Sequence, residues 1–295
     1  MTSIAVVAHR DKELGGGLPE LRQVLEAHGF TDPLWYEVSK SADAPKCVHR
    51  AVKHGADLIF VWGGDGMVQQ CIATVAGSGV ALAIMPAGTA NLLATDLGIP
   101  KDVAQAVAVG LHGARRSLDV GVINGERFGV MAGAGFDARV MGGVDSAAKQ
   151  RFGRIAYVRS GIQAMRAGRR QMKIKVDGRV WFDGKASCVL FGNIGTVTGG
   201  IKVFPDASPD DGLLEIGVVT ASGAMDWLRV LIRILGRHPS RSPMVEMTRG
   251  RRASVRLDRS LRFEVDGGAR TKTDKVEVSV EPSAVWVCVS GLKMK

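Results

Sequence analysis

The chain contains two apolar runs that each end in a glycine-containing turn and are followed by a helical pattern. The first run, Leu58 to Trp62, ends at Gly63-Gly64-Asp65-Gly66, and the second, Val80 to Met85, ends at Pro86-Ala87-Gly88-Thr89. Glycine lets main-chain N–H groups approach an anion closely, and a helix N-terminus adds partial positive charge. The pattern predicts two adjacent strand–turn–helix units that bind phosphate, with Asp65 as a candidate metal or catalytic carboxylate.

The residues before these turns alternate between short apolar runs and helical segments. Strands are predicted at Ile4 to Ala8 and Leu34 to Val38, and helices around Leu18 to Leu25 and Ala44 to His54. This alternation indicates a mostly parallel sheet covered by helices. Ligands of such sheets bind at the carboxyl ends of the strands, which is where both glycine-containing turns fall.

From about Ser117 onward, strand-like pieces replace the helical pattern, and several alternate with charged residues as half-buried antiparallel strands do. Predicted strands include Val120 to Ile123, Phe128 to Met131, Met172 to Val176, Ala186 to Phe191 and Leu213 to Val219. We therefore predict an α/β domain at 1–117 and a β-rich domain at 118–275. The stretch 276–295 is predicted to complete the first domain, and the active site is expected in the cleft between the two.

Composition limits the classes of partner. The 295 residues carry a net charge of +10, which favours an anionic surface, while only 5 % are aromatic, which argues against nucleic acid. The four cysteines form no CxxC motif, which indicates a reducing compartment. No signal peptide and no uncharged apolar run of about 18 residues is seen. We expect a cytoplasmic protein, peripheral to the inner face of the membrane.

The pair GGDG and PAGTAN resembles the catalytic domain shared by diacylglycerol kinases, sphingosine kinases and bacterial lipid kinases. The resemblance covers nearly the whole chain. It implies a Rossmann-like α/β domain of the NAD kinase and lipid kinase type, followed by an antiparallel β-sandwich domain. It also implies an ATP site formed by Ser39, Gly63, Gly64, Asp65, Gly66, Met67, Val68, Gln69, Gln70, Gly88, Thr89 and Asn91.

Two further segments of the same resemblance imply magnesium. Asp119, in LDVGVINGERF, resembles an aspartate that approaches Mg²⁺ through water. In SPDDGLLEIGV, the residues Ser208, Asp211 and Leu213 match positions that hold a structural Mg²⁺. Ser208 and Leu213 would act through their carbonyl oxygens, which suits a hard cation.

The position of the expected catalytic base carries a glycine. The family commonly has Asp-Gly-Glu where this chain has Asp266-Gly267-Gly268, and the glutamate is the proposed base that takes the proton of the lipid hydroxyl. Glycine cannot accept a proton. Three alternatives stay open: Asp266 takes the role, another carboxylate such as Asp65 does, or the protein is a weak or inactive kinase.

Two segments suggest contact with a membrane. The first, at 149–175, is rich in Lys and Arg, and it is either a solvated helix face or a patch for anionic lipid. In the second, Ala224 to Gly236, apolar residues are flanked by Arg229, Arg233 and Arg237. That segment is either a core helix or an interfacial helix.

The sequence as a whole predicts a kinase that transfers the γ-phosphoryl group of ATP to a lipid hydroxyl, such as that of diacylglycerol, at an anionic membrane surface. A homodimer is left open. One rival is a kinase with a soluble substrate such as NAD, although the Asn-Glu pair usual in NAD kinases is absent from this sequence. The other is a catalytically weak protein that binds nucleotide or lipid.

Overall fold

A computed structural model describes residues 3–135, 168–197, 201–235, 242–266 and 268–291. The chain divides into two compact units, one formed by Met1–Val120 with Ser283–Lys295 and the other by Gly121–Pro282. The return to the first unit thus begins at Ser283, compared with 276 in the sequence-based division. Most of the basic segment predicted at 149–175 lies outside the described residues.

The first unit is built on a parallel sheet. Its strands are β1 (Ile4–His9), β2 (Leu34–Val38), β3 (Leu58–Gly63) and β4 (Ala81–Pro86), which pair in the order β2-β1-β3-β4. The end of a long C-terminal strand, β16 (Gly268–Val289), adds to β4 in parallel through Trp286 and Val287. All residues of β3 and β4 are buried, as expected for central strands covered on both faces.

Five helices and one short 3₁₀ turn (Ser41–Asp43) connect these strands. At the start of the last helix, the Asp102 side chain accepts a hydrogen bond from the Gln105 N–H at 2.8 Å, a standard N-cap. None of the helices in the described ranges has the length and apolar character needed to cross a membrane. The helices are α1 (Gly17–Ala27), α2 (Ala44–Lys53), α3 (Asp65–Val75), α4 (Leu92–Asp96) and α5 (Val103–His112).

The second unit is an antiparallel β-structure with one described helix, α6 (Ala224–Leu235). Its main strands pair in the order β14-β13-β10-β7-β15-β16, and β15 also pairs with β8, which pairs with β9. One strand, β5 (Ala114–Ile123), begins in the first unit and ends in the second. The other strands are β6 (Glu126–Phe128), β7 (Met131–Ala134), β8 (Arg170–Val176), β9 (Arg179–Ala186), β10 (Cys188–Gly192), β11 (Thr196–Val197), β12 (Ile201–Lys202), β13 (Leu214–Val219), β14 (Val245–Gly250) and β15 (Arg252–Val265).

Alternating strand residues form the core of this unit. Phe191, Ile216, Val255 and Phe263 are among its buried members, while the charged residues next to them along the strands are exposed or half-buried. This is the half-buried antiparallel pattern that the sequence indicated. The predicted α/β fold with a β-rich second part is confirmed.

One predicted strand is wrong. Phe128 to Met131 was expected to be continuous, but β6 ends at Phe128 and β7 begins at Met131. The N–H groups of Gly129, Val130 and Met131 all donate to the side chain of Asp266, at 2.8, 2.9 and 2.8 Å. Because one carboxylate collects three consecutive donors, the chain bends around it and the ladder is interrupted.

Candidate functional site

Four parallel strands bring most of the predicted nucleotide-binding residues to one edge of the first unit. The turn after β3 contains Gly64, the turn after β4 contains Gly88, and Ser39 follows β2. Parallel strands end at a common edge, so these segments share the side of the sheet where ligands of α/β folds bind. Ser39 and Thr89 are exposed there.

The turn after β3 leads directly into α3. Gly64 caps this helix with an extended backbone, and its carbonyl accepts the N–H groups of Met67 and Val68 at 2.9 and 3.1 Å. The N–H groups of Asp65 and Gly66 therefore stand at the helix start, where partial positive charge is greatest. An anion placed at this end would meet main-chain donors rather than side chains.

The side chains of the following residues point into the protein core instead. Met67, Val68 and Gln69 are buried, and Gln70 donates a side-chain hydrogen bond to Gln69 at 3.1 Å. These residues were predicted to contact the nucleotide. In the structure the buried side chains anchor the helix. The contact of these residues with the nucleotide stays a prediction.

The two glycine-containing turns touch each other. A Cβ atom on Gly88 would lie 2.3 Å from the Cα of Gly64, and one on Gly64 would lie 3.1 Å from the Cα of Gly88. Real Cβ contacts are not that short, so the close approach needs glycine at position 88. The sequence predicted two adjacent turns, and the structure packs them backbone to backbone.

Asn91 holds the second turn together. Its backbone is left-handed, with φ of 50°. The side-chain Nδ2 donates to the carbonyls of Pro86 and Gly88 at 3.0 and 2.7 Å, and Oδ1 accepts the Gly88 N–H at 3.0 Å. With these three bonds, the described role of Asn91 is to shape the turn.

Asp65 connects the two turns. Its carboxylate oxygens accept the N–H groups of Asn91 at 3.0 Å and Leu92 at 2.5 Å. Burial raises the pKa of the Asp65 carboxyl above its ordinary value, and these two N–H donors together with the charge of Lys101 offset part of that rise. The side chain thus ties the start of α3 to the start of α4.

The structure adds two polar residues that the motif did not include. Ser41 lies beside the helix start, since its Oγ is 3.8 Å from where a Cβ of Gly66 would be. Lys101 is exposed and close enough to Asp65 to influence its titration. Neither belongs to a glycine-containing turn, so only the folded arrangement identifies them.

Asp119, predicted to approach magnesium, is buried in β5. It is 2 % exposed, and its Oδ1 accepts the N–H of Ser283 at 2.8 Å. Ser283 has a left-handed backbone with φ of 50°, so this bond fixes the bend by which the last segment returns to the first unit. The magnesium role of Asp119 stays a prediction.

The other predicted magnesium ligands share one turn in the second unit, before β13. The Asp211 carboxylate accepts the Leu213 N–H at 2.9 Å, and the Ser208 hydroxyl donates to Asp210 at 2.6 Å. Burial raises the pKa of the nearby Glu215; Arg249 lowers it, and the charges of Asp206 and Asp211 raise it further. This accumulation of negative charge suits a cation.

No group of three or more His, Cys, Asp or Glu side chains suited to a metal occurs in the described part of the chain. The predicted set does not depend on such a group, because two of its three ligands are carbonyl oxygens. The magnesium assignment of Ser208, Asp211 and Leu213 therefore stays a prediction that agrees with the local charge.

Asp266, the first alternative for the catalytic base, is heavily engaged by the main chain. Besides the three donors from Gly129 to Met131, its own N–H donates to the Met131 carbonyl at 2.9 Å. A carboxylate with three N–H donors has little acceptor capacity left for a substrate proton. The described contacts favour a structural role, and the base assignment stays a prediction.

We expect Asp266→Asn to destabilise the fold by about 1–3 kcal/mol, since an amide replaces one acceptor oxygen with a donor and leaves at least one N–H unsatisfied. Urea unfolding measures this loss. Asp258→Asn, at an exposed position of β15, is the matched control and should change stability by less than about 0.5 kcal/mol. A stable but inactive Asp266→Asn protein would instead identify a catalytic carboxylate.

Position 268 lies beside an ion pair. Gly268 begins β16, and a Cβ there would lie 2.7 Å from Nη1 of Arg270. The Arg270 Nε donates to Glu126 at 2.6 Å, and the hydrogen bond to Glu126 raises the pKa of Arg270. The environment of the missing glutamate therefore contains a cation that is already paired with a carboxylate.

Comparison with known proteins gives two family matches that together cover most of the chain. The model described as diacylglycerol kinase catalytic domain matches residues 13–123. The model described as YegS C-terminal NAD kinase beta sandwich-like domain matches residues 130–289, more than half of the chain. The predicted β-sandwich character of the second part is thereby confirmed.

Individual relatives agree. The chain is 31 % identical over 247 residues to a protein of Pseudomonas aeruginosa (strain UCBPP-PA14) named probable lipid kinase YegS-like, covering 78 % of this chain and 80 % of that protein. It is 26 % identical over 254 residues to a diacylglycerol kinase of Bacillus subtilis (strain 168), covering 85 % and 83 %. A crystal structure of a diacylglycerol kinase from Bacillus anthracis str. Sterne has the same fold, with a TM-score of 0.76, 22 % identity and coverage of 98 % and 97 %.

These matches confirm the family that the GGDG and PAGTAN motifs suggested, and they support a kinase activity. The chain belongs to the family of bacterial diacylglycerol kinases and YegS-like lipid kinases.

Proposed function

We propose that the protein is an ATP-dependent lipid kinase that transfers the γ-phosphoryl group of ATP to the hydroxyl of a diacylglycerol-like lipid. The observation that carries the proposal is the pair of packed glycine turns, tied by Asp65 at the edge of a parallel sheet. The names of the relatives supply the class of acceptor. The proposed place of action is the cytoplasmic face of an anionic membrane.

The helix start of α3 fits the phosphates of ATP. A Cβ at Gly66 would meet only the Ser41 Oγ, at 3.8 Å, so glycine leaves open space over the first-turn N–H groups. In phosphoryl transfer the protein mainly positions the groups and neutralises charge. Gly64 to Gly66 would hold phosphate through the main chain, and Thr89 and Lys101 would add a hydroxyl and a positive charge.

Magnesium fits the acidic turn of the second unit. Ser208, Asp211 and Leu213 would offer one carboxylate and two carbonyl oxygens to a hard cation. When bound, Mg²⁺ would offset the negative charge that Asp206, Asp211 and Glu215 concentrate there. Asp119 is the residue proposed to approach Mg²⁺ through water.

A catalytically weak binding protein is the second candidate, and Gly268 is the observation that favours it. A general base contributes about 10²- to 10⁴-fold to a rate. Loss of the base would therefore slow transfer while leaving ATP binding intact. A soluble acceptor such as NAD is the alternative within the enzyme class.

The purified protein should be incubated with γ-labelled ATP, magnesium and anionic vesicles that contain a panel of lipid alcohols, with a parallel reaction on NAD. The proposal requires label on a lipid. Label on NAD alone would assign a soluble substrate. ATP binding with no labelled product would leave the weak binding protein as the function.

Gly66→Ala is expected to separate ligand binding from folding. Alanine has the higher helix propensity, and its Cβ meets no close neighbour, so stability should rise by about 0.5–1 kcal/mol. The same methyl group would occupy the space proposed for phosphate, so we expect about ten-fold weaker ATP binding. Thermal unfolding and ATP titration measure the two effects. Unchanged ATP binding in the more stable variant would contradict the phosphate site.

A further inference from the structure

Helix α6 carries apolar side chains on two opposite faces. Val230 is buried and Trp227 packs against the same small core, which includes Cys188, Val219 and Val245. Met225, Leu228 and Ile232 are instead 59 %, 50 % and 58 % exposed. At roughly 100° per residue, these three positions form one stripe, roughly opposite Val230 and Trp227.

One apolar face is enough to dock a surface helix onto its own domain. The second face is not needed for that docking, and half or more of each of its three side chains is exposed. Single exposed apolar residues are ordinary, but three large ones in one helical stripe indicate a surface that is covered in function.

Positive charge flanks the exposed stripe. Arg229 and Arg233 lie next to the exposed stripe, on the same side of the helix, and both are exposed. Nη1 of Arg229 lies 3.6 Å from Oδ1 of Asp226, and the two form a weak surface ion pair. Arg233 has no acidic partner among the described residues. The whole chain has a net charge of +10. Apolar side chains beside arginine match the boundary between acyl chains and anionic headgroups.

We propose that α6 is an interfacial helix whose stripe of Met225, Leu228 and Ile232 inserts into an anionic lipid bilayer, with Arg229 and Arg233 at the headgroups. The inference rests on the proposed function in that a lipid acceptor brings the enzyme to a bilayer. It adds the surface by which this chain would dock.

Vesicle sedimentation tests the proposal without ATP and without a lipid alcohol. Wild type should bind vesicles of phosphatidylglycerol and phosphatidylcholine more tightly than vesicles of phosphatidylcholine alone. We expect Leu228→Ser/Ile232→Ser to weaken binding at least ten-fold, because each buried side chain of this size contributes about that factor. Arg233→Gln should weaken it about five-fold, and only on anionic vesicles.

Matched controls come from β9 of the same unit. Val180 is 53 % exposed and Arg179 is exposed, so Val180→Ser and Arg179→Gln change the same chemistry away from the helix. Both should bind vesicles as wild type does. Ile232→Trp is expected to tighten binding, because tryptophan favours the interface. A melting temperature equal to that of wild type would show that the gain does not come from misfolded protein.

Equal vesicle binding by wild type and the helix variants would overturn the proposal. So would a wild type that is dimeric without vesicles and a Leu228→Ser/Ile232→Ser variant that is monomeric, since a second copy would then cover the stripe. Helix-dependent binding without any lipid phosphorylation would overturn the proposed function alone. Lipid phosphorylation with helix-independent binding would overturn only this inference.

Discussion

Asp65→Ala is expected to lower the rate of phosphoryl transfer by at least about 100-fold. The Asp65 carboxylate holds the N–H groups of Asn91 and Leu92, and through them it fixes the turn after β4 against the start of α3. Misplacement of reacting groups by about 1 Å can reduce a rate by that factor. The measurement is kcat with ATP and the lipid acceptor identified by the vesicle panel.

The same variant should be less stable by about 1–3 kcal/mol, because two partly buried N–H groups lose their acceptor. Relief of the buried charge opposes this loss. Burial raises the pKa of Asp65, so folding favours the protonated form of this carboxyl over the ionised form. Asp65 stabilises the fold fully at a pH below the pKa that it has in the unfolded chain, about 3.9. This stabilisation decreases as the pH rises through the pKa that it has in the folded protein. The difference in the free energy of unfolding between wild type and Asp65→Ala should therefore decrease as the pH rises toward neutral.

Asp102→Ala is the matched control for this prediction. Asp102 lies in the same unit and also accepts a main-chain N–H at a helix start, from Gln105 at 2.8 Å. Its loss should cost about 1 kcal/mol and leave the rate unchanged. Asp65→Asn, which keeps the size of the side chain, distinguishes loss of the bonds from loss of volume. If Asp65→Ala were as active as Asp102→Ala, the connection between the turns would have no part in transfer.

Local patterns predicted the elements around the site well. Two apolar runs that end in glycine were enough to place β3, α3 and β4, because burial and the need for a tight turn act over a few neighbouring residues. The resemblance of the motifs identified the family. The edge of the sheet that carries the candidate site was predicted from the parallel arrangement of the strands alone, because ligands bind at their carboxyl ends.

Long-range hydrogen bonds were not predictable in this way. The sequence places Asp65 and Asn91 in separate motifs, and it gives no indication that the N–H of Asn91 donates to the carboxylate of Asp65. Likewise Asp266 interrupts the β6–β7 segment from 135 or more positions away. Residue type shows that such groups need partners, whereas only the fold shows which partners they have.

The base position gives the prediction with the largest expected gain. Gly268→Glu should raise the rate of lipid phosphorylation by about 100-fold, the lower end of the range for a general base. Glycine at 268 has no left-handed backbone that would exclude a side chain. A new Cβ would be 2.7 Å from Nη1 of Arg270, but that atom is the far end of a flexible side chain and can move.

The neighbourhood of Arg270 affects how the new carboxylate would behave. The Arg270 guanidinium would favour the ionised form of the carboxyl group introduced by Gly268→Glu, and this is the form that accepts a proton. Arg270 would then interact with two carboxylates, because it already donates to Glu126. Gly268→Gln has the same size and cannot act as a base, so the ratio of the two rates isolates proton transfer from packing. Equal rates for the two variants would contradict the prediction. They would mean that proton transfer to a base at this position does not limit the rate. A Gly268→Glu protein that is much faster than Gly268→Gln would show that the chain retains the rest of the machinery for transfer and lacks one proton acceptor.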